Sequence, residues 1–271
     1  MKNPLSINPE QEADKIISFL KKTFKEQKID KVVLGLSGGI DSMVALHLLK
    51  KVLPAKNIFV VQMDYVPRKK LDIDLKGINV VNVSIKKMVD LLIKESEDIF
   101  FEKIARGPHG GVAVEKNDIE LSLSKVKVGN IMARTRMIIL FDIAKQLNAL
   151  VCGTENKSEK LLGYFTRFGD AASDIEPISH LYKTQVRQLA SYLKVPEKII
   201  NQSPTAGLWD GQTDEKEFGF TYEEADQVLY YFHNINLEIK EIERLGFKNA
   251  EKIIKKMKNN QFKLRTPYVL R

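Results

Sequence analysis

The stretch VVLGLSGGIDSMVALHLL, residues 32–49, decides how this chain must fold. It opens as an apolar, β-branched run, stops at Ser37-Gly38-Gly39, and resumes as a helical pattern carrying Asp41 and Ser42. A strand that ends in glycines and feeds a helix leaves backbone N–H groups free where the helix dipole is positive, so the turn is an anion site. Glycine lets the main chain approach an oxyanion closely and take a positive φ. Ser37 and Ser42 can add hydroxyl donors. The chain has neither GxxxxGK[ST] nor GxGxxG, so the loop is neither a Walker A loop nor the dinucleotide fingerprint. Asp41 is the informative residue. On its own it is an acidic side chain favoured at a helix start. Beside a phosphate it would repel, unless a cation such as Mg²⁺ bridges the two. The loop formed by Gly35, Leu36, Ser37, Gly38, Gly39, Ile40, Asp41 and Ser42 is therefore expected to hold a polyphosphate together with a metal ion.

The flanking sequence extends the same unit. Valine- and isoleucine-rich runs at 31–37, 58–65, 78–85 and 149–154 predict strands buried on both faces, as in a parallel sheet. Helical spacing covers 10–27, where Ile16, Ile17, Leu20 and Phe24 share a face. It recurs at 42–53, closed by Pro54, and at 86–104, 129–148, 183–193 and 222–243. Strand–helix–strand repetition gives an α/β fold, a doubly wound parallel sheet flanked by helices. Glycine-rich and polar stretches at 105–118, 155–177 and 202–220 predict loops. No composition break divides the chain, which reads as a single domain over 1–271 with helical additions at both ends.

Bulk properties narrow the class. With 271 residues, 44% hydrophobic and 29% charged, the chain can bury a real core. No apolar run approaches the roughly 20 residues of a membrane span, and the first residues carry no apolar signal core. The lone cysteine, Cys152, permits no disulfide within the chain and points to a reducing cytoplasm. The net charge of +8 suits nucleic acid and phosphorylated small molecules alike. Its lysine-rich part, 248–265, sets Ile253, Ile254 and Met257 at helical spacing with no aromatic among those lysines before Phe262, so it reads as a solvated helix face and not as a nucleic-acid patch. His47, His109, His180 and His233 are too scattered for a zinc site.

LSGGIDS at 36–42 resembles the pyrophosphate loop of the N-type ATP pyrophosphatases, which are adenine nucleotide alpha hydrolase-like in fold. Four further blocks are together similar to the NAD synthetase family: GNIMARTRMIILFDIA (129–144), GTENKSEKLLGYFTRFGD (153–170), PISHLYKTQVRQLA (177–190) and PTAGLWDGQTDEKEFGFTY (204–222). The resemblance implies ATP-dependent amidation of deamido-NAD to NAD, with AMP and pyrophosphate as the other products, in a homodimer that binds deamido-NAD near the subunit interface.

The same resemblance implies roles for individual residues. Thr154, Lys183 and Thr205 match ATP contacts, and Glu159 joins Asp41 as a Mg²⁺ ligand. Lysine offers phosphate a mobile point charge, and fixed cations lower the barrier as charge builds on the α-phosphate and pyrophosphate. Arg134, Arg167, Asp174 and Lys263 match positions that hold deamido-NAD; an arginine fork suits a pyrophosphate. Asp170 is expected to help place ammonia or the amide beside the nicotinate ring. Phe262 stands where many relatives carry histidine, so it either stacks on a ring or packs. Arg136, two residues beyond Arg134 on a helix, is expected to face elsewhere. WDGQTDEKEFG at 209–219 resembles a mobile loop over the ATP site.

Glutamine hydrolysis requires a nucleophilic cysteine in its own domain, whereas Cys152 lies in an expected buried strand, so free ammonia is the expected nitrogen donor and no glutaminase domain is expected. Two other classes remain open. A tRNA-modifying adenylating enzyme would use the positive charge for RNA but leaves the 129–222 blocks unexplained. A nucleotide sensor that kept only the fold would show damaged metal positions, yet Asp41 and Glu159 are both present.

Overall fold

The computed structural model describes residues 4–67, 73–99, 125–205, 211–265 and 267–270. The glycine-rich stretch at 105–118 with His109, the end of the predicted helix at 100–104, and residues 209 and 210 of the expected lid lie outside the described residues.

Four parallel strands, β1 (Val32–Gly35), β2 (Ile58–Asp64), β3 (Asn79–Ser84) and β4 (Leu150–Cys152), form one sheet in the order β3-β2-β1-β4. Parallel pairing demands crossovers, and helices supply them on both faces. Helices α1 (Pro9–Gln27), α2 (Ile40–Leu49) and, later in the chain, residues 183–192 cover one face, against Val32, Leu34, Ile58, Val60, Leu150 and Cys152. Helices α3 (Lys86–Asp98) and α4 (Lys125–Leu147) cover the other, against Val33, Val61, Met63 and Val151. Successive strand residues thus alternate between two buried layers, as a doubly wound sheet requires.

Local chemistry sets the helix ends. Asn8 caps α1 by accepting from Gln11 N at 3.2 Å, and Pro9 follows at the first turn. Its inward stripe is Ala13, Ile16, Leu20 and Phe24. Helix α2 is apolar nearly all round because it is sandwiched in the core, with eight of its ten residues buried.

After β4 come α5 (Lys157–Leu162), α6 (Lys183–Tyr192), α7 (Glu197–Ile200), α8 (Asp214–Phe218), α9 (Tyr222–His233), α10 (Ile239–Arg244) and α11 (Ala250–Asn260). The later ones build a second cluster around Leu162, Tyr182, Phe218, Tyr222, Leu229, Ile253 and Ile254, beside the main core. Helix α11 buries Ile253, Ile254 and Met257, turns Lys252, Lys255 and Lys258 outward, and lays Lys256 over the Phe218 ring.

The structure departs from sequence expectation in four places. β3 is an edge strand exposed at most positions, with Val80 39% and Val81 37% exposed, so its valine run does not mark two-sided burial. The expected helix over 222–243 breaks after His233, where Asn236 takes the left-handed φ of 62° that asparagine tolerates. The expected loops at 155–177 and 202–220 each hold a short helix, α5 and α8. The first of these loops then returns to the sheet, where Gly153 N donates to Ile175 O at 2.9 Å in a parallel bridge beyond β4.

Candidate active site

A cavity of about 980 Å³ opens at the C-terminal edge of the sheet, where β1 and β4 diverge. This is where open α/β sheets place ligands. The β1–α2 turn forms one wall. Gly38 adopts φ 83°, a region only glycine enters freely, and Gly39 stands at the N-cap of α2 with no side-chain cap. Ser42 Oγ donates to Gly39 O at 2.9 Å and lies 3.2 Å from Ser37 Oγ, while Gly39 N donates to Ser37 Oγ at 3.2 Å. The turn is thereby held open with its helix N-terminus facing the cavity.

Three distant segments meet beside it. Lys183 Nζ lies 2.5 Å from Asp41 Oδ2 and 3.1 Å from Glu159 Oε1. Lys183 is only 2% exposed, and burial opposes its charge, but the two carboxylates more than compensate and raise its ammonium. Burial raises the Glu159 carboxyl, and Lys183 pulls it back. Asn156 ties the set together. Its side chain accepts from Glu159 N at 3.0 Å, capping α5, and its Nδ2 donates to Asp41 Oδ1 at 3.0 Å. Lys183 is fixed from its backbone too: Lys183 N donates to Ser158 Oγ at 2.8 Å, and Ser158 Oγ donates to Asp226 Oδ1 at 2.5 Å. Asp226 Oδ2 accepts from Thr184 N at 2.8 Å, and burial pushes this carboxyl up to about 6.

Of the residues singled out from sequence, Gly35, Leu36, Ser37, Gly39, Asp41, Ser42, Thr154, Glu159, Asp170, Lys183, Thr205 and Lys263 line the cavity. Asp170 accepts from Thr166 N at 2.8 Å; it keeps surface open to the cavity, yet the surrounding protein raises its carboxyl. Lys263 Nζ donates to Gly163 O at 2.7 Å and Phe165 O at 3.1 Å. Gly38 and Ile40 stand behind the wall, with Ile40 in the core.

Arg134, Arg167, Asp174 and Phe262 stand outside the wall. Arg134 Nη2 donates to Arg167 O at 3.4 Å, and the Arg167 guanidinium lies 5.5 Å from the Phe168 ring centre and 5.7 Å from that of Phe262. Phe262, 48% exposed, therefore meets a cation rather than a core. Asp174 accepts from Val151 N at 2.8 Å, at the sheet edge. Arg136, expected to face away, is the arginine on the cavity wall, where its Nε donates to Met63 O at 3.3 Å.

Sequence reasoning also passed over Asn156, Asp214, Tyr222 and Asp226. Asn156 had a signal, since N-x-x-E before a helical run is a capping box. The others have none, because their partners are remote in sequence or on another element. His47 packs beneath the site, its Nδ1 3.0 Å from Leu193 O.

A parallel sheet in this order, with an SGGxD turn and a lysine–carboxylate centre at its C-terminal edge, defines the adenine nucleotide alpha hydrolase-like class. Within that class the NAD synthase family model matches residues 12–267, so the chain belongs to the NAD synthase family. It is 37% identical to the NH(3)-dependent NAD(+) synthetase of Fusobacterium nucleatum over 98% of both chains. It is 35% identical to that of Pyrococcus horikoshii over 94% of this chain and 93% of the other. Among solved structures, the NH3-dependent NAD synthetase of Campylobacter jejuni superposes with TM-score 0.74 at 28% identity, covering 98% of this chain and all of that one. A Francisella tularensis protein described as an NMN synthetase gives 0.77 at 29%, over 98% and 99% of the two chains.

Proposed function

We infer that the chain is an ammonia-dependent NAD synthetase. It amidates deamido-NAD to NAD at the expense of ATP, releasing AMP and pyrophosphate, the last step of NAD biosynthesis. The observation that carries the reading is the Asp41–Lys183–Glu159 centre at the mouth of the Ser37–Gly38–Gly39 turn.

The nicotinate carboxylate attacks the α-phosphorus of ATP, giving an acyl-adenylate and pyrophosphate; ammonia then attacks the carbonyl and AMP leaves. Neither step needs a protein nucleophile, so charge neutralisation and alignment carry the rate. Backbone N–H groups of the turn and the α2 dipole bind the departing pyrophosphate. Lys183 supplies a positive charge whose proton its carboxylate neighbours retain. Thr154 and Thr205 supply hydroxyls on the wall, and Asp170 faces the acceptor side.

Asp41 and Glu159 fit a divalent ion, because their oxygens already grip one cation, the Lys183 ammonium. Among the described residues no three His, Cys, Asp or Glu side chains converge as a self-sufficient metal site, which suits Mg²⁺ that takes its other ligands from phosphate and water. When bound there, Mg²⁺ would neutralise phosphate charge.

Ammonia is the donor because Cys152 is buried on β4, where desolvation and nearby Glu176 hold its thiol far above the range of a nucleophilic thiolate. We read the whole chain as one catalytic unit, working as a cytoplasmic homodimer. The Arg134, Arg167 and Phe262 group, outside the cavity wall, offers cations and a ring to deamido-NAD, and the described part of the expected lid, 211–219, which lends Gln212, Asp214 and Glu217 to the cavity, covers the adenylate. A second reading, amidation of the mononucleotide, is favoured only by the likeness to the Francisella structure.

Purified protein with ATP, Mg²⁺ and either deamido-NAD or nicotinic acid mononucleotide, supplied with ammonium or glutamine, separates these readings by product analysis. NAD and AMP from ammonium and deamido-NAD, lost in Asp41→Ala, are expected. Amidated mononucleotide alone would replace the substrate, and no product with any acceptor would refute the assignment.

A further inference from the structure

One buried group has no part in the chemistry above. Asp214 opens α8, is 3% exposed and lines the cavity. Its Oδ2 accepts from the Tyr222 hydroxyl at 3.0 Å, and the Tyr164 hydroxyl, whose proton goes to Glu217 at 3.1 Å, lies near enough to favour the carboxylate's charge, but Oδ1 is buried with no donor among the described residues within hydrogen-bond distance. An unsatisfied buried carboxylate oxygen is costly and calls for a partner.

Lys183 presents the complementary problem. Its ammonium occupies the space between Asp41 Oδ2 and Glu159 Oε1, the oxygens that would hold a divalent ion. Two cations cannot share that space, since like charges in a low-dielectric site repel strongly. At 2% exposure the side chain has no easy retreat into water. An acceptor lies close by: Lys183 Nζ is 5.4 Å from the centre of the Tyr222 ring, whose hydroxyl holds Asp214, and Lys183 and Asp214 interact electrostatically.

We propose that Asp214 is the second seat of the Lys183 ammonium. In the nucleotide-free enzyme Lys183 plugs the divalent-cation position; when metal and polyphosphate load, it passes to Asp214 Oδ1 and a phosphate oxygen. The inference rests on the reading of Asp41 and Glu159 as the metal-holding pair. It makes Asp214 a positioning residue, acting through Lys183. It predicts that the site takes up no metal ion before its nucleotide, because the ammonium leaves only when phosphate offers part of its new environment.

The test is Mn²⁺ binding to the full chain, with and without α,β-methylene-ATP, followed by the electron paramagnetic resonance of free Mn²⁺ against a protein-free mixture that accounts for the Mn²⁺ the analogue binds by itself. Wild type should bind Mn²⁺ tightly only with the analogue. Asp214→Asn should weaken that binding about tenfold, the scale of losing a group that orients a ligand set, and Asp214→Glu should restore most of it. Lys183→Met should bind Mn²⁺ without nucleotide, and adding Asp214→Asn to it should change the affinity by less than about twofold, because the two residues act as one unit. Asp214→Asn with wild-type affinity, or an equal loss with and without Lys183, would overturn the proposal. If Asp214→Asn does not fold, Lys183→Met that still fails to bind Mn²⁺ without nucleotide would overturn it instead. No Mn²⁺ binding by folded wild type with the analogue would remove the metal reading beneath it, a result separable from the others.

Discussion

Asp226→Asn tests whether the lysine of the site is held by a carboxylate that the fold would rather keep protonated. Asp226 is fully buried and receives Ser158 Oγ and Thr184 N, so it fixes the start of α6 from which Lys183 projects. Its carboxyl rises from 3.8 to about 6, with burial the largest cause. A raised carboxyl contributes stability that is fully present below pH 3.8 and is lost as pH rises through 6. At ~1.4 kcal/mol per unit, the full loss is about 3 kcal/mol, of which about 2 kcal/mol separates pH 4.5 from pH 7.5. Asparagine cannot titrate, and its amide can accept from only one of the two donors, which costs about 1–3 kcal/mol at every pH. The destabilisation by Asp226→Asn should therefore be about 2 kcal/mol larger at pH 4.5 than at pH 7.5. Urea unfolding of both proteins at the two pH values measures the difference directly. A destabilisation that is equal at both, or greater at pH 7.5, would refute the reasoning.

Three further outcomes are expected. Gly153→Ala would set a Cβ 2.0 Å from Glu176 Oε1 and 2.7 Å from Ser173 Oγ. It should cost about 1–3 kcal/mol by overpacking, read as a lowered Tm; an unchanged Tm would mean that Glu176 moves aside freely. Glu155 is pushed up to about 8, first by burial and then by Glu176, so wild type loses stability as pH rises through 8. Glu155→Gln should gain on wild type between pH 6 and pH 9 in thermal melts, and parallel profiles would contradict this. Cys152 should not react with Ellman's reagent in the native protein and should react once urea unfolds it; rapid native labelling would undo the argument that excludes it as a nucleophile.

The sheet and its two helical layers were legible because strand residues buried on both faces must be apolar at every position, and 32–34, 58–61 and 150–152 are. The same rule misled at β3, whose Val80 and Val81 lie on an open edge. Local propensity does not say which strand ends a sheet. The anion turn was legible because glycine, serine and aspartate stand consecutively. Glu159 and Lys183 were each available only through family likeness, since a lone carboxylate or lysine in a loop has no local signature, and their meeting with Asp41 is a product of the topology. Asp214 and Asp226 were illegible for a stronger reason: both look like surface residues in helical stretches, TDEKEF and TYEEAD, and only tertiary packing buries them. Arginines 134 and 136 show the limit of facing arguments, for helical spacing separates them correctly but does not say which of the two looks inward.

Lys263 donates to the carbonyls of Gly163 and Phe165, about 100 residues earlier, on the stretch that leads to Asp170. This segment is thus sewn to the rim of the cavity rather than trailing from the body. An affinity tag or fusion partner joined close behind it would pull on that stitch, and its effect would surface as altered acceptor affinity in a protein that still melts normally.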